Sequence, residues 1–355
     1  MSKPARILFV GPDLKEVGGV SSYCKAILDE SPTIDYFGFP VKMKSKPLLF
    51  ARVLFRFMKK LRSTGDVVHF NTSLNFSAIA RDAIFMLVSL LHSRKVIVFI
   101  HGWDIPFQKS LRGIRLFMFK SVFNRAKSIC VLGKVFKEEL VRWGFDCRIE
   151  VGYYCFVNEA ASVRARAYSR ESETGPRILY LSRIVKEKGA FELADACGKL
   201  KEDYPGVVLD IAGDGPDLAE LKEYARKRNY DFITFHGNVT GAAKAALFES
   251  ANLFSLPTYY GEGFPLAITE AASFGLPVVT TRAGGIPDIF TDNKNGFFVE
   301  PGDADDLYAK IDHILSDQGL WESISSENVR FVKRYFSPDL TARRFAQLYM
   351  ECLSD

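Results

Sequence analysis

The chain has 355 residues, of which 48% are hydrophobic and 25% charged; this allows two domains and excludes disordered, collagen-like and disulfide-scaffold proteins. Its net charge of +5 is uneven, since residues 1–165 hold 26 Lys and Arg against 13 Asp and Glu (+13), whereas residues 166–355 hold 21 against 29 (−8). A basic first half predicts an anionic partner for that half, either a lipid surface or a nucleic acid.

No secretory or membrane-spanning segment is predicted. The strand-like run 7–11 begins almost at once, which leaves no room for the apolar core of a signal peptide. The best apolar run, 83–91, is far shorter than the ~20 residues needed to cross a bilayer. The six cysteines lack zinc or redox spacing, so we expect reduced thiols and a cytoplasmic location.

Short apolar runs alternate with longer amphipathic ones along the chain. This alternation predicts an α/β protein with two doubly wound parallel sheets, each covered by helices on both faces. The polar stretch 159–176 lacks periodicity and is the predicted linker. Ligands bind beyond the carboxyl ends of such strands, so we expect the site in a cleft between two facing sheets. The strands are predicted at 7–11, 67–70, 96–100 and 128–131, and then at 177–181, 207–212, 233–236, 253–256 and 277–280.

A pair of glycines, Gly18 and Gly19, lies between the first predicted strand and a helix. Such a pair lets a phosphate or a sugar approach the backbone closely. The spacing is not G-x-G-x-x-G, and no acidic residue closes a second strand at the expected offset. A nicotinamide site is therefore not predicted.

Polar residues also follow two other predicted strands of the first half. Asn71 and Thr72 end one strand, and His101 and Asp104 end the next. By itself a lone histidine is as often structural as functional, so both interpretations of His101 stay open at this point.

Two basic stretches, 52–62 and 107–127, place cations between large apolar residues. Basic amphipathic helices of this type lie on anionic lipid, where each cation contributes ~1 kcal/mol. The alternative is a helix that packs on the core and leaves a basic face in solvent. Together with the charge asymmetry we favour an anionic membrane surface as partner, and no nucleic acid, because no nucleic-acid-binding motif accompanies the cations.

In the second half, Arg183 and Lys188 follow one predicted strand and open a helix. Cations placed there would neutralise a departing diphosphate, and one such contact is worth on the order of 3 kcal/mol. The alternative is a solvent-facing pair at a helix start. Gly213 and Gly215 follow the next strand in what is, alone, a generic tight turn.

The most informative segment is 256–272, LPTYYGEGFPLAITEAA. Pro265 suits the first turn of a helix, so the loop before it feeds a helix N-terminus, where free N–H groups attract anions. Glu262 and Glu270 flank this point, and we expect each to accept hydrogen bonds from hydroxyls of a different sugar ring. The alternative, a solvated helix face, does not explain a loop so rich in glycine and aromatic residues.

A metal site is not predicted. The run 301–306 contains a D-x-D, but its position before a helical pattern indicates that Asp303 is an N-cap followed by first-turn acids. No other His or carboxylate cluster has metal-ligand spacing, so we expect an enzyme that needs no metal and no cofactor, with cationic side chains in the place of Mg²⁺.

The E-G-F-P-L-A-I-T-E segment, with the following G-x-P-V-V run and A-G-G-I-P-D turn, resembles the family-4 retaining glycosyltransferases of the GT-B fold, the glycosyl transferases group 1. The resemblance implies two Rossmann-like domains facing across a cleft. The first, 1–165, would bind the acceptor and the second, 166–335, the nucleotide sugar. Residues 336–355 would form a helix that crosses back to the first domain.

The resemblance also implies roles for individual residues, which we group by what they contact. The predicted catalytic residues are Arg183 and Lys188, which clamp the diphosphate, and Glu262 and His101, which contact the transferred sugar. Asp104 would lie beside His101, and Asn71 and Thr72 remain weaker acceptor candidates. The predicted donor-binding residues are Gly18, Gly19, Gly213, Gly215, Asn238, Val239, Gly263, Phe264, Pro265, Leu266 and Glu270, the last of which would hold the ribose hydroxyls.

The predicted reaction is transfer of a hexosyl unit from a nucleoside diphosphate sugar, a UDP-sugar ahead of GDP-mannose, to a glycan or lipid-linked acceptor. Polysaccharide or lipopolysaccharide synthesis at the inner face of a membrane would fit the basic first half. Two alternatives stay open: a nucleotide-sugar isomerase or epimerase on the same frame, and a non-catalytic nucleotide or glycan binder.

Overall fold

The computed structural model describes residues 6–16, 19–40, 47–152, 167–169, 174–260 and 265–354. Contacts divide the chain into two compact units, one built around the first sheet together with the last helix, and the other around the second sheet. Each unit is a six-stranded sheet in which all strands run parallel, with helices between successive strands. The α/β class and the two doubly wound sheets are thus confirmed.

The first sheet has the strand order β2-β1-β3-β4-β5-β6. The chain turns outward from β1 to β2 and then returns to the other side of β1, so the order reverses between β1 and β3. Its strands are β1 (Ile7–Pro12), β2 (Asp35–Phe39), β3 (Val67–Leu74), β4 (Lys95–Trp103), β5 (Ser128–Val131) and β6 (Arg148–Val151). Its helices are α1 (Gly19–Glu30), α2 (Pro47–Ser63), α3 (Phe76–Leu91), α4 (Ile105–Ser110), α5 (Gly113–Phe123), α6 (Lys134–Arg142) and, from the chain end, α13 (Pro338–Ser354).

Strands of the first sheet are apolar on both faces because helices cover both faces. Leu8 and Val10 pack into a core beneath α2, α3 and α5, while Phe9 faces the opposite core. That opposite core is completed by α1 and by Phe345 and Tyr349 of α13. The last helix therefore covers one face of the first sheet.

The second sheet has the order β12-β11-β10-β7-β8-β9, which reverses between β7 and β10. Its strands are β7 (Arg177–Leu181), β8 (Val208–Ala212), β9 (Ile233–Gly237), β10 (Leu253–Leu256), β11 (Val278–Thr280) and β12 (Gly296–Phe298). Its helices are α7 (Ala190–Asp203), α8 (Leu218–Lys227), α9 (Gly241–Ser250), α10 (Leu266–Ser273), α11 (Ala304–Ser316) and α12 (Gln318–Tyr335).

All nine predicted strands are present in the structure. It also contains three strands that the sequence did not predict, β2, β6 and β12. The predicted domain boundary at 165/166 lies outside the described residues. Among the helices that the structure describes, none is long and apolar enough to span a membrane.

Candidate active site

Three loops meet at the carboxyl edge of the second sheet, where the strand order reverses. They follow β7, β8 and β10, and their backbones are hydrogen-bonded to one another. Ile184 N–H donates to the Asp214 carbonyl at 3.0 Å, and Tyr259 N–H donates to the Glu187 carbonyl at 2.8 Å. A reversal point leaves an opening beyond the strand ends, so this interlocked rim is placed where doubly wound sheets bind ligands.

Glycines make this close packing of the loops feasible. Gly213 has a φ of +144°, and a Cβ there would overlap the Ser182 carbonyl oxygen. A Cβ at Gly215 would overlap the Ile184 carbonyl in the same way. Both glycines are therefore required by the loop backbone itself, a role that the sequence did not reveal, and their predicted contact with the donor stays a prediction.

The three cations of the loop after β7 differ in their surroundings. Arg183 is exposed, and its guanidinium has no hydrogen bond or ion pair among the described residues. Lys188 is half-buried, with Nζ 5.1 Å from the centre of the Tyr260 ring. Lys186, by contrast, points to the surface and pairs with Glu220 at 2.7 Å. The two cations predicted to clamp a diphosphate thus lie on one rim, and the third is occupied elsewhere.

The helix after β10 presents the predicted ribose-binding carboxylate. Pro265 is the N-cap of α10, with a φ of −66°, and Leu266 is the first helical residue, one position later than predicted. Glu270 lies about one turn further along the helix and is largely buried. Burial raises the pKa of the Glu270 carboxyl, and Lys244 of α9 opposes that shift through a 2.7 Å ion pair. Sequence reasoning missed Lys244.

The turn between β9 and α9 holds Asn238, which is exposed, and Val239, which is half-buried. Gly237 accepts a 2.7 Å hydrogen bond from Gly213 N–H, so this turn joins the same rim. His236, just before it, is fixed by a 2.7 Å hydrogen bond between Nε2 and the buried Asp210 carboxylate. The structure therefore brings Asn238 and Val239 into the rim as the motif suggested, and their contact with a base stays a prediction.

In the first unit, His101 lies within the last residues of β4. Its Nε2 is 2.9 Å from Asn71 Oδ1, and the Asn71 amide nitrogen donates to the Val10 carbonyl at 3.2 Å. Since the amide oxygen can only accept, His101 carries its proton on Nε2 and leaves Nδ1 as an acceptor. Nδ1 has no hydrogen-bond partner among the described residues. Burial lowers the pKa of His101 to about 3, so the imidazole is neutral at physiological pH.

The strand β3 is longer than predicted, so Asn71 and Thr72 lie inside it and are buried rather than beyond its end. The Thr72 hydroxyl has no hydrogen-bond partner in the described part of the chain. Asp104 is the N-cap of α4 and accepts a 2.7 Å hydrogen bond from Phe107 N–H. Asn71 thus supports His101 and Asp104 caps α4, and an acceptor contact by Asn71, Thr72 or Asp104 stays a prediction.

Comparison with known proteins identifies the second unit. Residues 164–330 match the family model described as glycosyl transferases group 1. Residues 164–330 are a glycosyl transferases group 1 domain. The glycogen synthase of Mycobacterium tuberculosis is 30% identical over 184 residues, which cover 51% of this chain and 44% of that protein. This chain thus aligns with less than half the length of that curated relative.

The likeness of the fold extends beyond the group 1 domain. The crystal structure of Anabaena HepE in complex with UDP matches with a TM-score of 0.77 at 18% identity, covering 98% of this chain and 100% of that one. The lipopolysaccharide outer core galactosyltransferase WaaB matches with a TM-score of 0.70 at 18% identity, covering 97% and 99%. The fold is therefore the predicted GT-B fold. Arg183, Lys188 and Glu270 all belong to the group 1 domain.

Several predicted site residues lie outside the described residues: Gly18, Glu262, Gly263 and Phe264. Gly19, next to Gly18, is the first residue of α1. No cluster of three or more potential metal ligands occurs in the described ranges. The D-x-D segment is a helix start as predicted, since the Asp303 carboxylate accepts hydrogen bonds from two N–H groups of the first turn of α11.

The first basic stretch lies in α2, which buries one face in the core, as the alternative interpretation expected. Its outer face carries exposed cations, no carboxylate and two exposed apolar side chains, Leu48 and Phe55, the latter 67% accessible. The second stretch, 107–127, is not one helix. It is divided between α4 and α5 because Leu111 is buried and Gly113 has a φ of +51°. The exposed face of α5 carries Ile114, Phe117 and Met118.

Proposed function

We propose that this protein is a retaining glycosyltransferase that moves a hexosyl unit from a nucleoside diphosphate sugar, with a UDP-sugar favoured over GDP-mannose. The acceptor is a hydroxyl group of a glycan or lipid-linked molecule in cell-envelope polysaccharide or lipopolysaccharide synthesis. The group 1 domain and the likeness to a UDP-bound structure support a nucleotide-sugar donor. The observation that carries the proposal is the pair of cations on the interlocked rim, Arg183 and Lys188.

The chemistry follows from where negative charge develops. As the glycosidic bond to the donor breaks, the departing diphosphate gains charge, and the two cations stabilise it more than they stabilise the intact donor. Both cations lie on the rim before the donor binds, so positive charge is already present where the diphosphate departs. They take the part that a magnesium ion plays in other transferases, so the proposed reaction needs no metal.

The remaining residues orient the two substrates. Glu270 accepts hydrogen bonds from the ribose, while the turn at Asn238 and Val239 lies beside the base. His101, neutral at physiological pH, offers Nδ1 as an acceptor to a hydroxyl of the transferred sugar. Positioning of this kind accounts for a large part of the rate enhancement, because it replaces a bimolecular encounter.

The clamp is tested with Arg183→Ala and Lys188→Ala, measured as release of nucleoside diphosphate from candidate sugar nucleotides in the presence of envelope glycolipid. Each substitution should lower turnover by about 10²-fold, the rate equivalent of ~3 kcal/mol. Lys186→Ala is the matched control, since Lys186 lies in the same loop and pairs with a surface carboxylate. Unchanged turnover in the first two variants would remove the clamp, and conversion of donor alone to an isomer would favour the isomerase.

We further propose that the first unit docks on an anionic membrane surface through the outer faces of α2 and α5. Both segments combine exposed cations with exposed large apolar side chains, and residues 52–62 and 107–127 contain no carboxylate. Cations attract the headgroups while aromatic and aliphatic side chains enter the interface. Such a surface would bring the first unit, which is proposed to bind the acceptor, to a lipid-linked substrate.

Cosedimentation with vesicles tests this surface. The protein should bind vesicles rich in phosphatidylglycerol, bind neutral phosphatidylcholine weakly, and be released by salt. The double variant Arg52→Glu and Arg56→Glu should lose binding, whereas Lys333→Glu, an exposed charge reversal in the second unit, should not. Equal binding to neutral vesicles would reject the proposal.

A further inference from the structure

An ion pair inside the second unit joins α9 to α10. Lys244 Nζ lies 2.7 Å from Glu270 Oε1, and the two side chains are 32% and 13% accessible. The second carboxylate oxygen, Oε2, has no hydrogen-bond partner among the described residues. One oxygen of Glu270 is thus held by the protein, and the other is left for a ligand.

The sequence around Lys244 makes this side chain exceptional in its helix. The first turns of α9 read GAAKAA, so Lys244 is the single charged residue in a run of glycine and alanine. Lys244 is also in direct contact with the Glu270 carboxylate, and its charge opposes the effect of burial on the carboxyl pKa. The strands β10 and β11, which also pack against α10, contain no charged residue.

Burial and charge act on Glu270 in opposite directions. Removal from water disfavours the ionised carboxylate, and the nearby ammonium favours it. Only the ionised form offers all its lone pairs to hydroxyl donors, because a protonated carboxyl keeps one oxygen as a donor. A buried carboxylate that binds hydroxyl groups therefore needs a partner of this kind.

We propose that Lys244 is a positioning residue that keeps the Glu270 side chain charged and in place, so that its free oxygen can accept a hydrogen bond from a ribose hydroxyl of the donor nucleotide. The inference deepens the proposed function and rests on it. It also explains the location of Lys244, because α9 begins directly after the turn of Asn238 and Val239 and so connects the two segments assigned to the nucleoside.

The test compares nucleotide affinity as a function of pH in the full-length protein, by calorimetry with UDP or GDP, whichever stabilises the wild-type protein. Lys244→Met keeps the length of the side chain and removes its charge. Its affinity should approach that of the wild type at high pH and weaken about tenfold for each pH unit below the carboxyl pKa. Lys244→Arg should restore the wild-type profile. Lys199→Met, which breaks a pair with the exposed Asp305, is the matched control and should leave the profile unchanged.

Two results would overturn the proposal: an unchanged pH profile in Lys244→Met, or a loss of affinity that is the same at every pH, as a merely structural pair would give. A second measurement separates this failure from failure of the proposed function. In protein labelled with ¹³C-glutamate, the Glu270 signal is assigned with Glu270→Gln, and its pKa should rise in Lys244→Met but not in Lys199→Met.

If the wild-type protein binds no nucleoside diphosphate, or if Glu270→Gln binds it as tightly as the wild type, the nucleotide assignment of this site fails. The titration still reports whether Lys244 keeps the carboxylate ionised. An unmoved Glu270 pKa in Lys244→Met refutes the positioning role, whatever the protein binds.

Discussion

The half-buried imidazole of His101 makes the stability of the first unit depend on pH. Its pKa is about 3 in the folded protein, against an ordinary value of 6.5, because burial disfavours the cation. The unfolded chain therefore binds the proton more readily, and acid favours unfolding. The contribution of His101 to the free energy of unfolding is therefore fully present above pH 6.5, the pKa in the unfolded chain, and is lost as the pH falls towards 3.

The size of the effect follows from the same two values. Between them, each pH unit costs about 1.4 kcal/mol of the free energy of unfolding. Lowering the pH from about 7.5 to about 5 should therefore remove about 2 kcal/mol through His101. In His101→Gln this contribution is absent, while the amide can still donate to Asn71.

Urea unfolding at both pH values measures the difference. A Trp321→Phe background restricts the fluorescence signal to Trp103 and Trp143, which both lie in the first unit. The wild-type unit should lose about 2 kcal/mol more than His101→Gln on acidification, since His69, also buried with a lowered pKa, is common to both. Equal losses in the two proteins would refute a neutral His101 imidazole with a lowered pKa.

Three further predictions concern a glycine, a helix cap and a core hydrogen bond. Gly189→Ala should destabilise the second unit by more than the ~1–2 kcal/mol that a left-handed residue costs, because a Cβ there would also overlap the Pro257 carbonyl. Gly302→Ala, at a similar φ but with open space around it, should show the left-handed cost alone, and an equal loss of unfolding free energy in the two variants would contradict the overlap. Asp303→Ala should cost ~1 kcal/mol by removing the cap of α11, and an unchanged urea midpoint would count against it. Tyr349→Phe should cost ~1–3 kcal/mol, because it deletes the 2.7 Å hydrogen bond to the buried histidine of β3; no loss in urea unfolding would show that this bond contributes nothing.

The central strands could be predicted from sequence because they are buried on both faces and read as continuous apolar runs. Ser128–Val131, Arg177–Leu181 and Leu253–Leu256 have the predicted bounds. The missed strands, Asp35–Phe39 and Arg148–Val151 among them, lie at sheet edges, where polar and glycine residues interrupt the pattern. Burial alone does not decide which strands are found, since the partly exposed edge strand β9 was predicted and the buried three-residue edge strand β12 was missed.

Some residues of the candidate site could be predicted from the sequence, and others could not. Arg183, Lys188 and Glu270 could be proposed from the sequence because they occupy short loops and helix starts that follow predicted strands. Lys244 could not, since nothing in an alanine-rich helix indicates which carboxylate its side chain will meet across a helix pair. The tautomer of His101 was equally out of reach, because it depends on a residue of the neighbouring strand.

The position of α13 affects the order in which the molecule can be completed on the ribosome. The hydrogen bond between His69 and Tyr349 joins residues 280 positions apart, and Phe345 packs on the same face of the first sheet. Domains generally fold as they emerge, N-terminal first. Here one apolar face of the first sheet is covered only in part, by α1, until α13 has been made, whereas nearly all of the second unit is made before α13. A transcript truncated just before this helix would thus yield a product with a sound second half and an aggregation-prone first half.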